Sequence, residues 1–389
     1  MTNYTLFSQI LGLIDKETFK KEVKKHGTDY ANKGFDSWTH LVAMLFCQIA
    51  QSTSVRDISF GLRSASGNLN HLGVQRAPSK SSISYQNKHR DYRLFRDTYY
   101  NMLNHLGQHP GLNRRKLKIK APVYLLDSTT ISLCLSLFDW AQFRTTKGAI
   151  KLHTLLQYNG QLPAYLYLSD GKTADNRAAR DIPISKGSVV VADRYYTDFA
   201  LLNIWDSTGV NFVVRHKSNL QYWVKQELKV PKNQGGNVIR DQIIELYSTS
   251  VRKKYPREIR RVEVWDEENL QTIELLTNNL KYSGRTIAAL YKARWDVELF
   301  FRDLKQLLHV KTFIGTSENA VQIQIWSALI AILLLKYLKM KAKFGWHLSN
   351  LVQSIRTNCF AKIDLFQWID EPLTPTPQNT KFTAQGVLF

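Results

Sequence analysis

Three carboxylates in this 389-residue chain lie where an enzyme could present them to a substrate. Asp127 and Asp193 each end an apolar run, VYLLD and VVVAD, that is typical of a buried strand, and strand ends of an α/β sheet carry functional groups. Glu298 lies on a helical face that is otherwise largely apolar. Because a desolvated carboxylate must be paired or must bind a metal, these side chains are candidates for catalysis or metal binding.

Glu298 belongs to a stripe of polar side chains on one predicted helix. Two helical turns take about seven residues, so the spacing aligns four side chains: Tyr291, Arg294, Glu298 and Lys305. Two Asp and one Glu can hold two Mg²⁺ ions about 3.5–4 Å apart, which activate a hydroxyl and stabilise the leaving oxygen of a phosphodiester. Oxygen ligands favour Mg²⁺ or Mn²⁺ over zinc. The alternative is a set of ion pairs, Glu298 with Arg294 and Asp193 with Arg194, and residue types alone leave both open.

The same residues resemble a known family. The spacing Tyr291-x2-Arg294-x3-Glu298-x6-Lys305 is similar to the Y-R-E-K signature of bacterial insertion-sequence DDE transposases. The segments LLDSTT around Asp127 and ADRYY around Asp193 look like the regions that hold that family's catalytic aspartates. The resemblance covers about residues 120 to 340. It implies an RNase H-like catalytic domain in which a β-rich insertion separates the second aspartate from the glutamate.

The resemblance also implies a role for each matching position. Three residues would be catalytic and would bind two Mg²⁺ ions, with Mn²⁺ as a substitute: Asp127, Asp193 and Glu298. Three would hold phosphates near the cleavage site: Tyr291, Arg294 and Lys305. Guanidinium groups suit bidentate phosphate contact and ammonium groups suit point-charge contact.

Further DNA contacts follow from the same comparison. The segment VVRHK resembles a V-R-x-K segment of relatives, which makes Arg215 and Lys217 candidate DNA contacts. Members of this family typically cleave both strands through a hairpin at the transposon end and stack a flipped base on a Trp. Trp265 and Trp295 are candidates for that platform, and a place in the core is at least as good an interpretation of either ring.

The charge of the chain points to the same class of partner. There are 53 Lys and Arg against 32 Asp and Glu, a net charge of +21, which favours a polyanion, with an anionic membrane surface as the rival. The three widely separated cysteines exclude a disulfide framework and a CxxC metal site. We expect no signal peptide, and we expect the apolar stretch 325–335 to be a buried helix because about 20 residues are needed to span a membrane.

The first 110 residues read as a helical domain. Up to residue 120 there are 19 Lys and Arg against 8 Asp and Glu. A turn-rich segment leads to a helix start at Pro78 and Ser79, and the basic residues that follow include Lys80, Lys88 and Arg90. Helix, turn and basic helix is the pattern of a helix-turn-helix DNA reader, and an ordinary helical bundle with a basic face is an equally good interpretation. We expect the rest of the chain to fold without this region.

The remaining elements predict a multidomain α/β protein. We expect a first part of the RNase H-like domain at 120–217, a β-rich insertion at 218–283, its second part at 284–340 beginning with one long helix, and a C-terminal helical region with a Pro-rich tail at 341–389. Asp175 and Asp181 are expected to be a helix cap and a solvated charge, and His153 and His216 show no metal-ligand spacing.

These observations predict a Mg²⁺-dependent DNA transposase that binds terminal inverted repeats of double-stranded DNA as a homodimer in the bacterial cytoplasm, away from membranes. It would cleave the ends and join them to target DNA. The alternatives are an RNase H-like nuclease or resolvase without strand transfer, and a degenerate copy that only binds DNA.

Overall fold

The computed structural model describes most of the chain, including the three candidate carboxylates. The described residues are 2–30, 32, 34–65, 67–112, 117, 119–133, 138, 140–144, 147–171, 174–216, 220–230, 237–308 and 313–373. The α-helices among them are Leu6–Leu11 (α1), Lys16–His26 (α2), Ser37–Ala50 (α3), Val55–Ser64 (α4), Lys80–His89 (α5), Arg93–Leu106 (α6), Asp175–Ala178 (α7), Phe199–Ser207 (α8), Thr249–Lys254 (α9), Gly284–Lys292 (α10), Trp295–Leu308 (α11), Glu318–Lys341 (α12), Leu348–Thr357 (α13) and Leu365–Asp370 (α14).

The strands form one mixed sheet. They are Val123–Leu133 (β1), Gln142–Arg144 (β2), Lys147–Gln157 (β3), Leu162–Asp170 (β4), Val189–Ala192 (β5), Asn211–His216 (β6), Tyr222–Glu227 (β7), Val238–Leu246 (β8), Ile259–Asp266 (β9) and Gln271–Thr277 (β10). Their order is β2-β3-β1-β5-β6-β10-β9-β8-β7, and β4 pairs with β3. Strands β1, β5 and β6 are parallel and the other pairs are antiparallel. The prediction of mixed helices and sheet is confirmed.

Strand β5 lies at the centre of the parallel part of the sheet. All four of its residues, VVVA, are buried, as expected for a strand covered on both faces. Its parallel partners differ in length, because β1 runs on to Leu133 while β5 ends at Ala192. This difference leaves an open edge beyond Ala192, beside the middle of β1.

The region 218–283 extends this sheet instead of forming a separate one. Strands β7 to β10 are antiparallel neighbours, and β10 pairs with β6 so that Leu275 lies opposite Arg215. The β-rich character predicted from the sequence is therefore present as a continuation of the central sheet. Helix α10 packs over β6, β8 and β9.

Helix α12 is a buried helix, as its sequence predicts. It is long and apolar enough to span a membrane by length and composition alone, but 83% of its most apolar window is buried inside the protein. It contacts α3, α5, α6, α11 and α13. Its apolar surface is thus used for internal packing, which does not indicate a membrane protein.

The N-terminal helices share the core of α12. The ring of Trp326 in α12 lies 5.8 Å from that of Tyr99 in α6, between centroids. The side-chain amide of Asn319 donates hydrogen bonds to the carbonyls of Asn87, at 2.9 Å, and Arg90, at 2.8 Å. Tyr99 also donates through its hydroxyl to the carbonyl of Pro163, at 2.9 Å. This packing argues against our expectation that the rest of the chain folds without the first 110 residues.

The long helix predicted from residue 284 is interrupted. It is divided into α10, capped by the side chain of Ser283, and α11, with a turn at Ala293 and Arg294 between them. In that turn the backbone N–H of Arg294 donates to the carbonyl of Tyr291 at 3.0 Å, and that of Val297 donates to the carbonyl of Arg294 at 3.1 Å. Such three-residue bonds are tighter than those of an α-helix and change the direction of the chain. The predicted stripe is therefore not a straight row on one helix.

Candidate functional site

Two of the candidate carboxylates are brought together by the pairing of β1 with β5. In this parallel pair Val123 lies opposite Val189 and Leu126 lies opposite Ala192. Asp127 and Asp193 each come one residue after that last pair, at the same edge of the sheet. The sequence reasoning was wrong on one detail, because Asp127 lies in the middle of β1 and not at its end. Strand β1 continues because it pairs with β3 along its whole length, which β5 does not match.

Local hydrogen bonds orient both aspartates. The backbone N–H of Ser128 donates to Oδ1 of Asp127 at 2.8 Å. The backbone N–H of Arg194 donates to Oδ1 of Asp193 at 2.7 Å, where Asp193 caps a short 3₁₀ turn, Arg194–Tyr196. One oxygen of each carboxylate is thus held by the backbone that follows it.

The turn between α10 and α11 brings the third carboxylate to the same place. Glu298 lies in the first turn of α11, where the helix dipole favours a negative charge. The Arg294 guanidinium donates to Oε1 of Glu298 at 2.7 Å and lies 3.5 Å from Oδ2 of Asp127. The Tyr291 hydroxyl lies 3.5 Å from Oδ1 of Asp193. Residues from β1, α10 and α11 and from the turn that follows β5 therefore meet across a few ångströms.

The three carboxylates and Arg294 line a cleft of about 550 Å³. Its lining is Asp127, Ser128, Thr129, Asp193, Arg294, Glu298, Phe301, Arg302, Lys305 and Gln306. Lys305 is exposed, and the side chain of Asp127 is only 19% exposed. The cleft thus has an acidic floor with cationic side chains beside it.

The electrostatics of the cleft are dominated by burial. The pKa of Asp127 is raised to about 6, mainly by burial and to a smaller extent by the neighbouring Asp193 and Glu298, against the lowering effects of the Ser128 N–H and of Arg294. Burial also raises the pKa of Tyr291 to about 12, so this residue keeps its proton. For Arg294 burial lowers the pKa, but the pull of Tyr291 and the bond to Glu298 outweigh that effect, and its pKa is raised.

The residues of the cleft fit divalent metal binding by their chemistry. They supply carboxylate oxygens, the ligands that Mg²⁺ prefers. Asp127 is desolvated and repelled by Asp193 and Glu298, so a cation would relieve the conditions that raise its pKa. Arg294 pairs with Asp127 and Glu298 and so supplies part of the positive charge that a bound cation would provide. The two alternatives left open by the sequence, an ion pair and a cation site, therefore involve the same residues.

A more compact group of ligand atoms lies elsewhere. In the part of the chain that the structure describes, Glu22, His26 and Asp97 are the one group of metal-ligand types whose atoms lie within 4.8 Å of one another. Lys25 already pairs with both carboxylates of that group, at 3.0 Å and 2.8 Å. Arg96 also pairs with Asp97, at 2.8 Å, so the two carboxylates are balanced by two cations in an ion-pair cluster between α2 and α6.

The other predicted DNA contacts of the catalytic region lie around the cleft or on the sheet beside it. Arg215 is partly exposed in β6, and its charge acts on the Tyr291 hydroxyl. Trp295 is the first residue of α11, beside Arg294, and is 58% exposed. Trp265 is 38% exposed in β9. Neither Trp is a core residue, whereas Lys217 lies outside the described residues.

The basic residues predicted on the N-terminal helix divide into two kinds. Lys80 and Lys88 are exposed on α5. Arg90 was wrongly predicted to face DNA: it is buried and donates to the backbone carbonyls of Asp36, at 2.9 Å, and Phe35, at 2.7 Å. Arg90 directly follows α5, and its Nη1 and Nη2 groups connect the end of that helix to the two residues just before α3.

Some cleft residues were missed by the sequence reasoning. They are Ser128, Thr129, Phe301, Arg302 and Gln306. A signal existed for three of them, since positions three, four and eight residues after Glu298 fall on the same side of a helix. The two residues after Asp127 had no signal, because the sequence does not show that the strand continues.

Comparisons relate the sequence of this chain to known proteins. Residues 118–334, more than half of the chain, match the family described as Transposase DDE domain, and residues 2–75 match a domain of unknown function (DUF4372). A protein of Sinorhizobium fredii named as a transposase, y4zB, is 31% identical over 262 residues, which are 67% of this chain and 71% of that protein. A Geobacillus stearothermophilus protein named as a transposase for insertion sequence element IS5377 is 31% identical over 230 residues, 59% of this chain and 60% of that protein.

One solved structure covers nearly the whole chain at a low level of similarity. It is a cryo-EM structure of a piggyBac transposase synaptic complex with hairpin DNA. The match has 10% sequence identity and a TM-score of 0.40, and it covers 97% of this chain and 82% of that one.

Proposed function

Because this chain belongs to the transposase DDE domain family and is a transposase of the insertion-sequence type, we propose that it binds the ends of an insertion sequence, cleaves the DNA there and joins it to a target. The observation that carries this proposal is the convergence of Asp127, Asp193 and Glu298 on one cleft that also contains Arg294 and Lys305. Acidic side chains alone would repel DNA, so the cations beside them favour a phosphodiester as the substrate.

The cleft residues divide the work of phosphoryl transfer. We propose that Asp127, Asp193 and Glu298 hold two Mg²⁺ ions, with Mn²⁺ as a substitute, in keeping with a family that generally uses divalent metal ions. When bound, such ions lower the pKa of a hydroxyl nucleophile and stabilise the leaving oxygen. Arg294 lines the cleft, where its guanidinium can donate to a phosphate oxygen as well as to Glu298.

Tyr291 and Lys305 complete the proposed phosphate site. The raised pKa of Tyr291 keeps its hydroxyl protonated, so it can donate to a phosphate oxygen or to Asp193. Lys305 is exposed at the cleft rim and can contact the next phosphate as a point charge. These two residues, with Arg294 and Glu298, form the proposed Y-R-E-K signature.

The sheet supports the finer assignment of the fold. Three antiparallel strands, β4, β3 and β1, are followed across the sheet by the parallel strands β5 and β6. This order favours an RNase H-like catalytic domain that extends over 120–217 and 284–340, with 218–283 as the insertion, between a helical N-terminal domain at 1–110 and a C-terminal region at 341–389. Asp127 on β1 and Asp193 after β5 then lie at neighbouring strands of the parallel core.

We propose double-stranded DNA as the partner, in the form of transposon ends and target, with two copies of the chain pairing the ends in the bacterial cytoplasm. Lys80 and Lys88 on α5 would contact the end duplex, and Arg215 and Lys217 would contact DNA near the cleft. Trp295 is the better candidate for stacking a flipped base in a hairpin step, because it is more exposed than Trp265 and adjoins Arg294.

The test uses a substitution that keeps the shape of the cleft. Glu298→Gln should bind a short end duplex as wild type does but should fail to nick it with Mg²⁺ on a denaturing gel, where a hairpin product would also be resolved. Glu318→Gln is the matched control, since Glu318 is an exposed glutamate in the first turn of another helix. Unchanged nicking by Glu298→Gln would overturn the proposal.

The alternative functions predict different products. A nuclease or resolvase would cut the end duplex but would not join its 3′-hydroxyl to a target plasmid. A degenerate copy would bind without cutting. Strand joining by the wild-type chain therefore separates the transposase from both.

A further inference from the structure

A second polar cluster lies behind the cleft, on the other face of the sheet. Successive side chains of a strand point to opposite faces, so the Ser128 side chain faces away from that of Asp127, although residue 128 also borders the cleft. Ser128 lies opposite His153 in the β1–β3 register and shares a face with it, and Lys151, two residues before His153 in β3, lies on that face as well. The cluster is thus one residue away from a cleft carboxylate.

Asp175, at the start of α7, is the centre of this cluster. Its Oδ1 accepts a hydrogen bond from the Ser128 hydroxyl at 2.6 Å, lies 3.2 Å from Nζ of Lys151 and lies 3.6 Å from Nδ1 of His153. The expectation that Asp175 caps a helix was wrong, because the cap of α7 is Ala174 and has no side-chain bond. Asp175 therefore has a role other than helix capping, and its three neighbours indicate what that role is.

Charge and burial make the cluster rigid. The His153 side chain is 1% exposed, and burial lowers its pKa to about 4, so it is neutral near pH 7. Its Nε2 is bonded to the Ser169 hydroxyl at 3.0 Å. Lys151 then supplies the positive charge that holds the Asp175 carboxylate, so that Asp175 connects α7 to β1 and β3, and His153 connects β3 to β4.

Ser128 connects the cluster to the cleft at both of its polar groups. Its hydroxyl is held by Asp175 on one face, while its backbone N–H donates to Oδ1 of Asp127 at 2.8 Å on the other. The hydrogen bond to Asp175 adds to the pairing with β3 in holding residue 128 in place, and with it the N–H that binds the Asp127 carboxylate. This matters because Asp127 is repelled by Asp193 and Glu298 and would otherwise turn away from them.

We propose that Asp175 is a positioning residue that orients Asp127 for metal binding through Ser128. The proposal rests on the proposed function, in which Asp127 binds a divalent cation. Outer partners of metal ligands commonly contribute about 10- to 100-fold to metal affinity. Asp175 would then act on the affinity for the metal without touching DNA or metal itself.

The experiment measures Mn²⁺ binding to the full-length protein by electron paramagnetic resonance of the free ion. Asp175→Asn and Ser128→Ala should each weaken Mn²⁺ binding by about tenfold. Ser128→Thr keeps the hydroxyl and should stay close to wild type. Asp181→Asn is the matched control, because Asp181 is exposed six residues further along the chain.

A second readout separates positioning from general damage to the fold. The Mg²⁺ concentration for half-maximal nicking of the end duplex should rise by the same factor in Asp175→Asn, while saturating Mg²⁺ should restore most of the rate. A lower maximal rate at an unchanged Mg²⁺ midpoint would mean a structural role only and would overturn the inference. Ser128→Ala serves as the independent variant if Asp175→Asn does not fold.

Failure of the inference and failure of the proposed function give different results. If Glu298→Gln weakens Mn²⁺ binding and neither Asp175→Asn nor Ser128→Ala does, the cleft binds the metal but Asp175 does not position it. If Glu298→Gln leaves Mn²⁺ binding unchanged, the cleft is not the metal site, and both proposals are overturned.

Discussion

The Asp127 carboxylate is largely buried, and its burial affects the free energy of unfolding. Burial raises its pKa from 3.8 to about 6, so the folded protein binds a proton more tightly than the unfolded chain does. The free energy of unfolding therefore falls as the pH rises from about 4 to about 6, by up to about 3 kcal/mol. Above about pH 6 the Asp127 carboxylate is ionised in the folded protein, and its buried charge lowers the free energy of unfolding by the full amount.

Removing that charge should stabilise the metal-free protein. We expect Asp127→Asn to unfold in urea with a free energy about 1–3 kcal/mol above wild type at pH 8, and with little difference at pH 4. The same variant should not nick DNA. The measurement is urea unfolding at both pH values in a chelating buffer, with Asp181→Asn as a control that follows wild type. Equal gains at pH 4 and pH 8 would contradict the role of the charge.

At the residue scale, the sequence predicted the carboxylates better than their cations. Apolar runs before Asp127 and Asp193 and the spacing around Glu298 were enough to group these three. The burial of Arg90 was not predictable, because the carbonyls that accept its hydrogen bonds belong to Phe35 and Asp36, more than 50 residues earlier. A contact between distant parts of the chain leaves no local pattern.

At the scale of elements, a buried ion pair connects strands β8 and β9 to the start of helix α10, which carries Tyr291 near its end. Arg260 in β9 binds Asp241 in β8 through two hydrogen bonds, of 2.8 Å and 2.6 Å. The same guanidinium donates to the carbonyls of Asn279 and Tyr282, at 3.0 Å and 2.6 Å, just before α10 begins. The position of α10, and of Tyr291 near its end, depends on this connection.

Breaking the pair should therefore be costly. Asp241→Ala leaves the Arg260 charge buried without its partner, and we expect a loss of about 3–5 kcal/mol in the free energy of unfolding. The double variant Asp241→Leu with Arg260→Met should regain most of that loss, because no charge is left unpaired. Chemical unfolding of the three proteins measures both effects. A loss below about 1 kcal/mol in the single variant would contradict this role.

Elements were predicted better by type than by their limits. The strand-like segments within 218–283 and the apolar stretch 325–335 were sufficient to assign β7 to β10 and α12. The break between α10 and α11 could not be predicted from the sequence, because the two residues between these helices, Ala293 and Arg294, include no glycine or proline. One tertiary contact lies at this turn, from Arg294 to Asp127 at 3.5 Å, and tertiary contacts can outweigh local helix propensity.

At the scale of the whole molecule, the N-terminal helices cannot be removed without exposing α12. Trp326 contacts Tyr99 and Tyr100, and Asn319 binds the end of α5. We expect a chain that begins at residue 111 to be insoluble or to lack a cooperative thermal transition, while the full chain should show one. Calorimetry and size-exclusion chromatography test this. A monomeric, cooperatively folded truncation would mean that the two parts are independent.

Because truncation would disturb the fold, recognition of DNA by α5 has to be tested with point substitutions. The net charge of +21 predicts that binding of an end duplex weakens steeply with salt, since each neutralised phosphate releases counterions. Lys80 and Lys88 are exposed on α5, while Lys21 and Lys24 are exposed on α2, which also carries acidic residues. Replacing either pair of lysines by Ala lowers the net charge by the same amount, so the two double variants differ only in which helix loses its charges.

If α5 contacts the duplex, these two pairs should behave differently. Replacing Lys80 and Lys88 together by Ala should lower the slope of log affinity against log salt by about 2, because about 0.9 counterion is released for each lost phosphate contact. Replacing Lys21 and Lys24 by Ala should leave the slope close to that of wild type. Fluorescence anisotropy of a labelled end duplex between low and physiological salt measures both. An equal change in the two variants would mean that only overall charge matters, and an unchanged slope in the first would place the duplex elsewhere.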